Sequence, residues 1–332
     1  MRNCDLALAI SFFACSVCAG QSPANPGGMG PLEEGRLAYE KSQYGKAVEL
    51  LHSAAQQEPH NGEIYLLLTK SFIELGHFDA AVQSAERAVA ISPKDSIFHE
   101  WLGRASGEKA ARASWFSAFS LARKARREFE TAVQLDERNF SAQQALIEFY
   151  CRAPGIVGGG EEKAVPRIER LEALDVSEFH FAKGNCRRQS KDFAAADAEF
   201  TLVLESGTRS TELIYDVGDY ALKQSQPERL LAVAKAGQRV APADPRADFY
   251  RGAAYILKGE KLDEAQRLIR TYSNRAPVRT GYPRPTIVHE WLGRALEQQG
   301  ERESAKREYE AALQADAKNK GAHEALKRLE KK

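Results

Sequence analysis

The 332-residue sequence predicts an all-α fold, a solenoid of stacked helix–turn–helix repeats, and three observations carry that prediction. The seven residues HEWLGRA occur twice, at His99–Ala105 and at His289–Ala295. Paired amphipathic patterns with a period of about 34 residues run through most of the chain. Small residues and a proline return at fixed places inside them. Gly62–Asp95 sets the frame: its two helical patterns break at Gly76, Ala81 and Ala88 supply the small side chains, and Pro93 stops the second helix. With Gly62 as position 1, Ala81, Ala88 and Pro93 are positions 20, 27 and 32.

The first twenty residues stand outside this pattern. After Arg2, the apolar run Leu6–Val17 is too short to span a bilayer and suits the core of a signal peptide. Val17 with Ala19, or Cys18 with Gly20, offers the small cleavage pair, so a signal peptide is expected over 1–20 and a mature chain from near Gly20 or Gln21. The expected destination is the periplasm or cell envelope, with secretion as a variant, and no stable transmembrane span is expected. Cys4, Cys15 and Cys18 would leave with the leader. Phe-Phe-Ala-Cys15 resembles a lipoprotein box with Phe12 where Leu or Val is wanted, so a lipid anchor on Cys15 is the lesser alternative. Cys151 and Cys186 remain; they pair in an oxidising compartment, or stand as separate structural thiols.

Repeat units then start near Gly28, Gly62, Ser96, Phe140, Ser177, Thr211, Pro245 and Thr286, about eight over 21–319. Tyr44, Ala47, Ala54 and Pro59 take positions 17, 20, 27 and 32 of the first unit. Gly293, Gly300, Ala305, Tyr309 and Ala312 take positions 8, 15, 20, 24 and 27 of the last. Both HEWLGRA copies therefore occupy positions 4 to 10, the same turn of helix in two units. Units four, six and seven are degenerate: Gly237 replaces Ala at position 27, and Pro227 replaces an aromatic at position 17. A segment 320–332 places Ala322, Ala325, Leu326 and Leu329 on one face and is expected to cap the last unit.

Glycine inside a helix costs about 1 kcal/mol relative to alanine, yet Gly35, Gly103, Gly184, Gly218, Gly252 and Gly293 all fall at position 8. Such repetition marks a close helix approach, expected here against the position-20 alanine, with Phe72, Phe129, Phe200 and Tyr309 filling the space between units. Two insertions interrupt the period, near 106–121 and 155–160, both expected at the turn between the paired helices and in mutual contact. The first brings Trp115, Phe116 and Phe119, which form either a partner-binding edge or a lobe covered by Ile156 and Val157.

The pattern resembles the tetratricopeptide repeat family. That resemblance implies a right-handed superhelix whose first helices line a concave groove through positions 2, 5, 9, 12 and 13. Carried onto this chain, it implies Leu66, Lys70 and Glu74 from unit two, and Glu100 and Arg104 from unit three. Gln144, Glu148 and Arg152 follow from unit four, then Phe181, Asn185, Arg188 and Gln189 from unit five. Tyr215, Asp219 and Lys223, then Phe249, then Glu290, Arg294 and Glu297 complete the set. Aromatic anchors and charges of both signs suit an extended peptide or a partner helix, unless these are simply solvated helix faces. The family's clamps for C-terminal carboxylates are not reproduced.

The expected function is a non-enzymatic scaffold of a bacterial cell envelope holding a protein or peptide partner, the alternative being a module that contacts a saccharide or cell-wall polymer. No catalytic residue, cofactor or metal is assigned. His99 and His289 share one repeat position beside a Trp, which points to packing. Gly155–Gly160 lacks the Lys and Ser/Thr of a phosphate loop, and Glu161 and Glu162 would repel an anion. The 47 basic and 46 acidic residues leave a net charge of +1, with no overall drive toward nucleic acid.

Overall fold

The computed structural model describes residues 29–330, which are helical throughout, with no strand among them; the predicted signal peptide and Cys15 lie outside the described residues. Helices pair in order. The first hairpins are α1 (Pro31–Glu40) with α2 (Tyr44–Gln57), α3 (Gly62–Glu74) with α4 (Phe78–Ile91), and α5 (Ser96–Ala110) with α6 (Trp115–Leu135). Next come α7 (Phe140–Arg152) with α8 (Glu161–Leu174), α9 (Val176–Gln189) with α10 (Phe193–Glu205), and α11 (Thr211–Lys223) with α12 (Pro227–Val240). The last are α13 (Arg246–Lys258) with α14 (Leu262–Arg275) and α15 (Pro285–Gln298) with α16 (Arg302–Ala315), followed by a single α17 (Lys320–Glu330).

Local chemistry starts these helices where the frame places them. Asn61, Asp95, Asn139, Asp175 and Ser210 each accept a hydrogen bond from a first-turn backbone N–H of the odd-numbered helix that follows, and Asn319 does so for α17. Each odd-numbered helix packs on the next odd-numbered one, from α1 on α3 to α13 on α15, so the first helices of the hairpins form one continuous inner layer. The even-numbered helices form the outer layer.

The position-8 glycines are required by close approach, although the partner differs from expectation. A Cβ on Gly103 would lie 2.6 Å from the Phe129 ring, one on Gly184 2.7 Å from Phe200, and one on Gly293 2.6 Å from Tyr309. The position-24 side chain of the paired helix, rather than the position-20 alanine, occupies the space that glycine vacates. The position-20 residues Ala47, Ala81, Ala164, Ala196 and Ala305 are buried within their hairpins.

Three further findings revise or resolve the reading from sequence. The excess of unit three is not a loop: it lengthens α6 to 21 residues, and Trp115 and Phe116 form its first turn. Cys151 and Cys186 are joined as a disulfide, their Cα atoms 5.4 Å apart, because α7 and α9 are neighbours in the inner layer. The superhelix also returns on itself. In the connector between α14 and α15, the Val278 carbonyl accepts from the Tyr44 hydroxyl at 2.9 Å, and the Thr280 N–H donates to the Glu74 carboxylate at 3.2 Å. At the far end, Ala322, Ala325 and Leu329 of α17 are buried against Tyr309 and Ala312.

Candidate functional site

The two HEWLGRA copies are explained by one network written twice. The His99 ring bonds Glu128 through Nδ1 at 2.7 Å, and His289 bonds Glu308 with the same atoms at the same distance. His180 of unit five, outside the repeated motif, makes the equivalent bond to Glu199. Burial pushes Glu199 up, but hydrogen bonds and charge from Lys183 and His180 outweigh it and hold its carboxyl below the usual range. Within each copy the Arg donates to the Glu one turn earlier, Arg104 to Glu100 at 2.8 Å and Arg294 to Glu290 at 2.6 Å. Glu100 also accepts from Ser141, and Glu290 from Asn319, so each motif fastens its own hairpin to the next. These histidines are structural clasps.

A concavity of about 940 Å³ opens in the middle of the inner layer, on α7, α9 and α11 with Arg104 of α5 at one side. It brings together eight of the groove residues expected from sequence: Arg104, Gln144, Glu148, Phe181, Asn185, Arg188, Asp219 and Lys223. Others lie elsewhere. Tyr215 and Phe249 are 2% and 0% exposed and belong to the core between units six and seven, so neither offers a surface to an occupant. Glu100 and Glu290 are buried under the following repeat by the bonds just described. Leu66 and Lys70 lie on α3, with the Lys70 ammonium 4.7 Å above the Trp101 ring; burial pulls the Lys70 pKa down. Arg152 is exposed and reaches Glu148 only at 3.9 Å. Arg294 lines a separate cleft, about 460 Å³, with Glu297 and Arg328 of the capping end.

The chemistry of the central concavity comes largely from residues not named from sequence. Asp175, Glu178, Glu212 and Asp216 line it beside Asp219. Glu178 is buried and accepts from the Gln144 amide at 2.7 Å; its burial, with the charges of Asp175 and Glu212 added, pushes its carboxyl up to about 7. Asp216 is exposed to the groove, although protein crowds it from the sides. That enclosure, joined by repulsion from Asp219 and Glu212, pushes it up to about 7 as well. Glu178 and Glu212 stand at position 2, already one of the inward positions; Asp216 stands at position 6, which the family pattern does not mark.

The edge residues behave differently. Trp115 and Phe116 are 76% and 87% exposed, whereas Phe119 is half-buried beneath the Arg123 guanidinium, 4.6 Å from its ring. Arg123 also donates to the Ile156 carbonyl at 3.2 Å, so the two interrupted turns do touch. Ile156 and Val157 do not cover the aromatic pair: Val157 is buried beneath the turn and Ile156 faces solvent. Among the described residues, no group of three or more His, Cys, Asp or Glu side chains is placed to hold a metal ion, and no helix is long and apolar enough to cross a membrane.

Residues 38–104 and 288–319 match two profiles of the tetratricopeptide repeat. No curated protein matches the chain. Among solved structures, it is similar to the hetero-tetramer Cut9–Hcn1 of the APC/C, at 13% identity and a TM-score of 0.49, over 90% of this chain and 55% of that one. A tetratricopeptide repeat protein from Parabacteroides merdae matches at 14% identity and 0.41, over 90% and 97%. YrrB, described as a TPR protein with an unusual peptide-binding site, matches at 16% and 0.35, over 74% and 100%. The chain thus spans about half the length of the first of these.

Proposed function

Taking a scaffold of tetratricopeptide repeats as the premise, we propose that this protein holds a protein or peptide partner in its concave groove, without catalysis, in a bacterial cell envelope. One observation carries the reading: the continuous inner layer of first helices leaves a polar concavity of about 940 Å³ whose lining side chains come from four successive hairpins. A surface assembled from several repeats suits an elongated occupant that crosses them in turn. The disulfide between Cys151 and Cys186 supports an oxidising compartment, in keeping with the expected signal peptide.

The test is a comparative pull-down from an envelope fraction with the mature chain as bait. Asn185→Arg, which fills the groove, loses the partner, while the exposed Trp115→Ser, Phe116→Ser variant keeps it. The reverse pattern would move the working surface to the edge. Recovery of the native protein from the cytosol with free thiols at both cysteines would end the envelope assignment.

A further inference from the structure

The inner wall of the concavity is divided by charge. Glu178 and Glu212 stand in the first turns of α9 and α11, with Asp216 one turn further along α11. Arg188 and Lys223 stand at the opposite ends of the same two helices. Ten residues of helix separate Glu178 from Arg188, about 15 Å at the helical rise, beyond the range at which charges in contact with solvent neutralise one another. The two cations whose fields reach Asp216 are already engaged: Arg104 with Glu100 and Ser141, and Arg246 with Asp244. Arg209 lines this end of the groove as well, and Glu212 also acts on Lys70 of α3, so the end is marked by an excess of acid, Asp175, Glu178, Glu212, Asp216 and Asp219 against Arg209, with Asp216 repelled by both Asp219 and Glu212.

A second feature of the same wall is independent of charge. Asn185 lines the concavity with only 9% of its surface exposed, and its side-chain amide has no hydrogen-bond partner among the described residues. A carboxamide offers two donors and an acceptor, and one so enclosed is normally satisfied. The functional groups that match both its faces are the N–H and C=O of an extended peptide backbone.

We infer that the groove takes an extended peptide segment bearing a Lys or Arg, whose cationic head sits among Glu212, Asp216 and Asp219 while its backbone amide pairs with Asn185. This rests on the groove being the partner site and adds the chemical class of the partner. An arriving cation would replace carboxylate repulsion with attraction, so acidic segments are rejected by the same residues that select basic ones.

Fluorescence anisotropy at low salt tests it, using fluorescein-labelled nonapeptides of Gly and Ser that carry three lysines, three glutamates or three leucines. The lysine probe binds at least about tenfold more tightly than the glutamate probe. Asp216→Asn with Glu212→Gln removes most of that difference, while Glu172→Gln with Glu205→Gln, exposed acids outside the concavity with the same change in net charge, leaves it intact. Asn185→Ala weakens the lysine and leucine probes alike. Equal binding of lysine and glutamate probes, or equal loss in both double variants, would overturn the inference. Leucine-probe binding that Asn185→Ala abolishes, without a lysine preference, would leave the groove as partner site and remove only the cationic class. Spermidine competing as well as unlabelled lysine peptide would overturn the assignment to a peptide.

Discussion

At the scale of single residues, glycine has opposite values at two sites of one helix. Gly103 of α5 lies against the Phe129 ring, so Gly103→Ala gains about 1 kcal/mol of helix propensity and loses about 1–3 kcal/mol to overpacking. A Cβ on Gly107, four residues on, would meet nothing within 4 Å. Thermal melts should show Gly103→Ala destabilised by about 1–2 kcal/mol and Gly107→Ala stabilised by about 0.5–1 kcal/mol; two shifts of the same sign would contradict the packing described. Asp216 gives a pH dependence. Its folded carboxyl, raised from 3.8 to about 7 by enclosure and by Asp219 and Glu212 against the opposing Arg246 and Arg104, holds its proton more tightly than in the unfolded chain. That contribution favours folding fully below the unfolded value and is lost as pH rises through about 7. Asp216→Asn should therefore flatten the fall in melting temperature between about pH 4 and pH 7. An unchanged profile would mean that the carboxyl titrates normally.

At the scale of elements, the disulfide ties α7 to α9 across a separation of 35 residues, a closure worth about 3–4 kcal/mol in chain entropy. Cys151→Ser with Cys186→Ser, or reduction, should lower the urea midpoint accordingly; an unchanged midpoint would show that the stacked helices need no staple. The same elements show what is legible in sequence. Helix pairing, register and the capping helix follow from Gly35, Ala81, Pro93 and their counterparts, because each reflects a constraint internal to one hairpin. The long α6 escapes such counting: SAFSLARKARREF holds no Gly or Pro breaker, and a frame that counts extra residues does not say whether they coil or lengthen a helix. The disulfide escapes it too, since Cys151 and Cys186 meet only through packing between hairpins. Tyr215 and Asp216 mark the same boundary: adjacent in sequence, one is core and the other groove floor, and the packing of α11 between its neighbours decides which.

At the scale of the whole molecule, a solenoid is held by nearest-neighbour contacts, and this one adds a contact between its beginning and its end. Tyr44 and Glu74 of the first two hairpins grip the 276–284 connector across more than 200 residues of sequence, so the groove is bounded on more than one side. Tyr44→Phe with Glu74→Ala removes these bonds at a cost of about 1–2 kcal/mol. The radius of gyration from X-ray scattering should rise as the ends part, and an unaltered radius would show that stacking alone sets the curvature. The proposed function puts the partner on the inner wall. Site-specific photocrosslinking reads this most directly, with one benzophenone side chain in place of Arg188 on the groove and another in place of exposed Arg267 on the outer layer. Groove binding predicts a partner adduct from position 188 and none from 267; an adduct from 267 alone would contradict it.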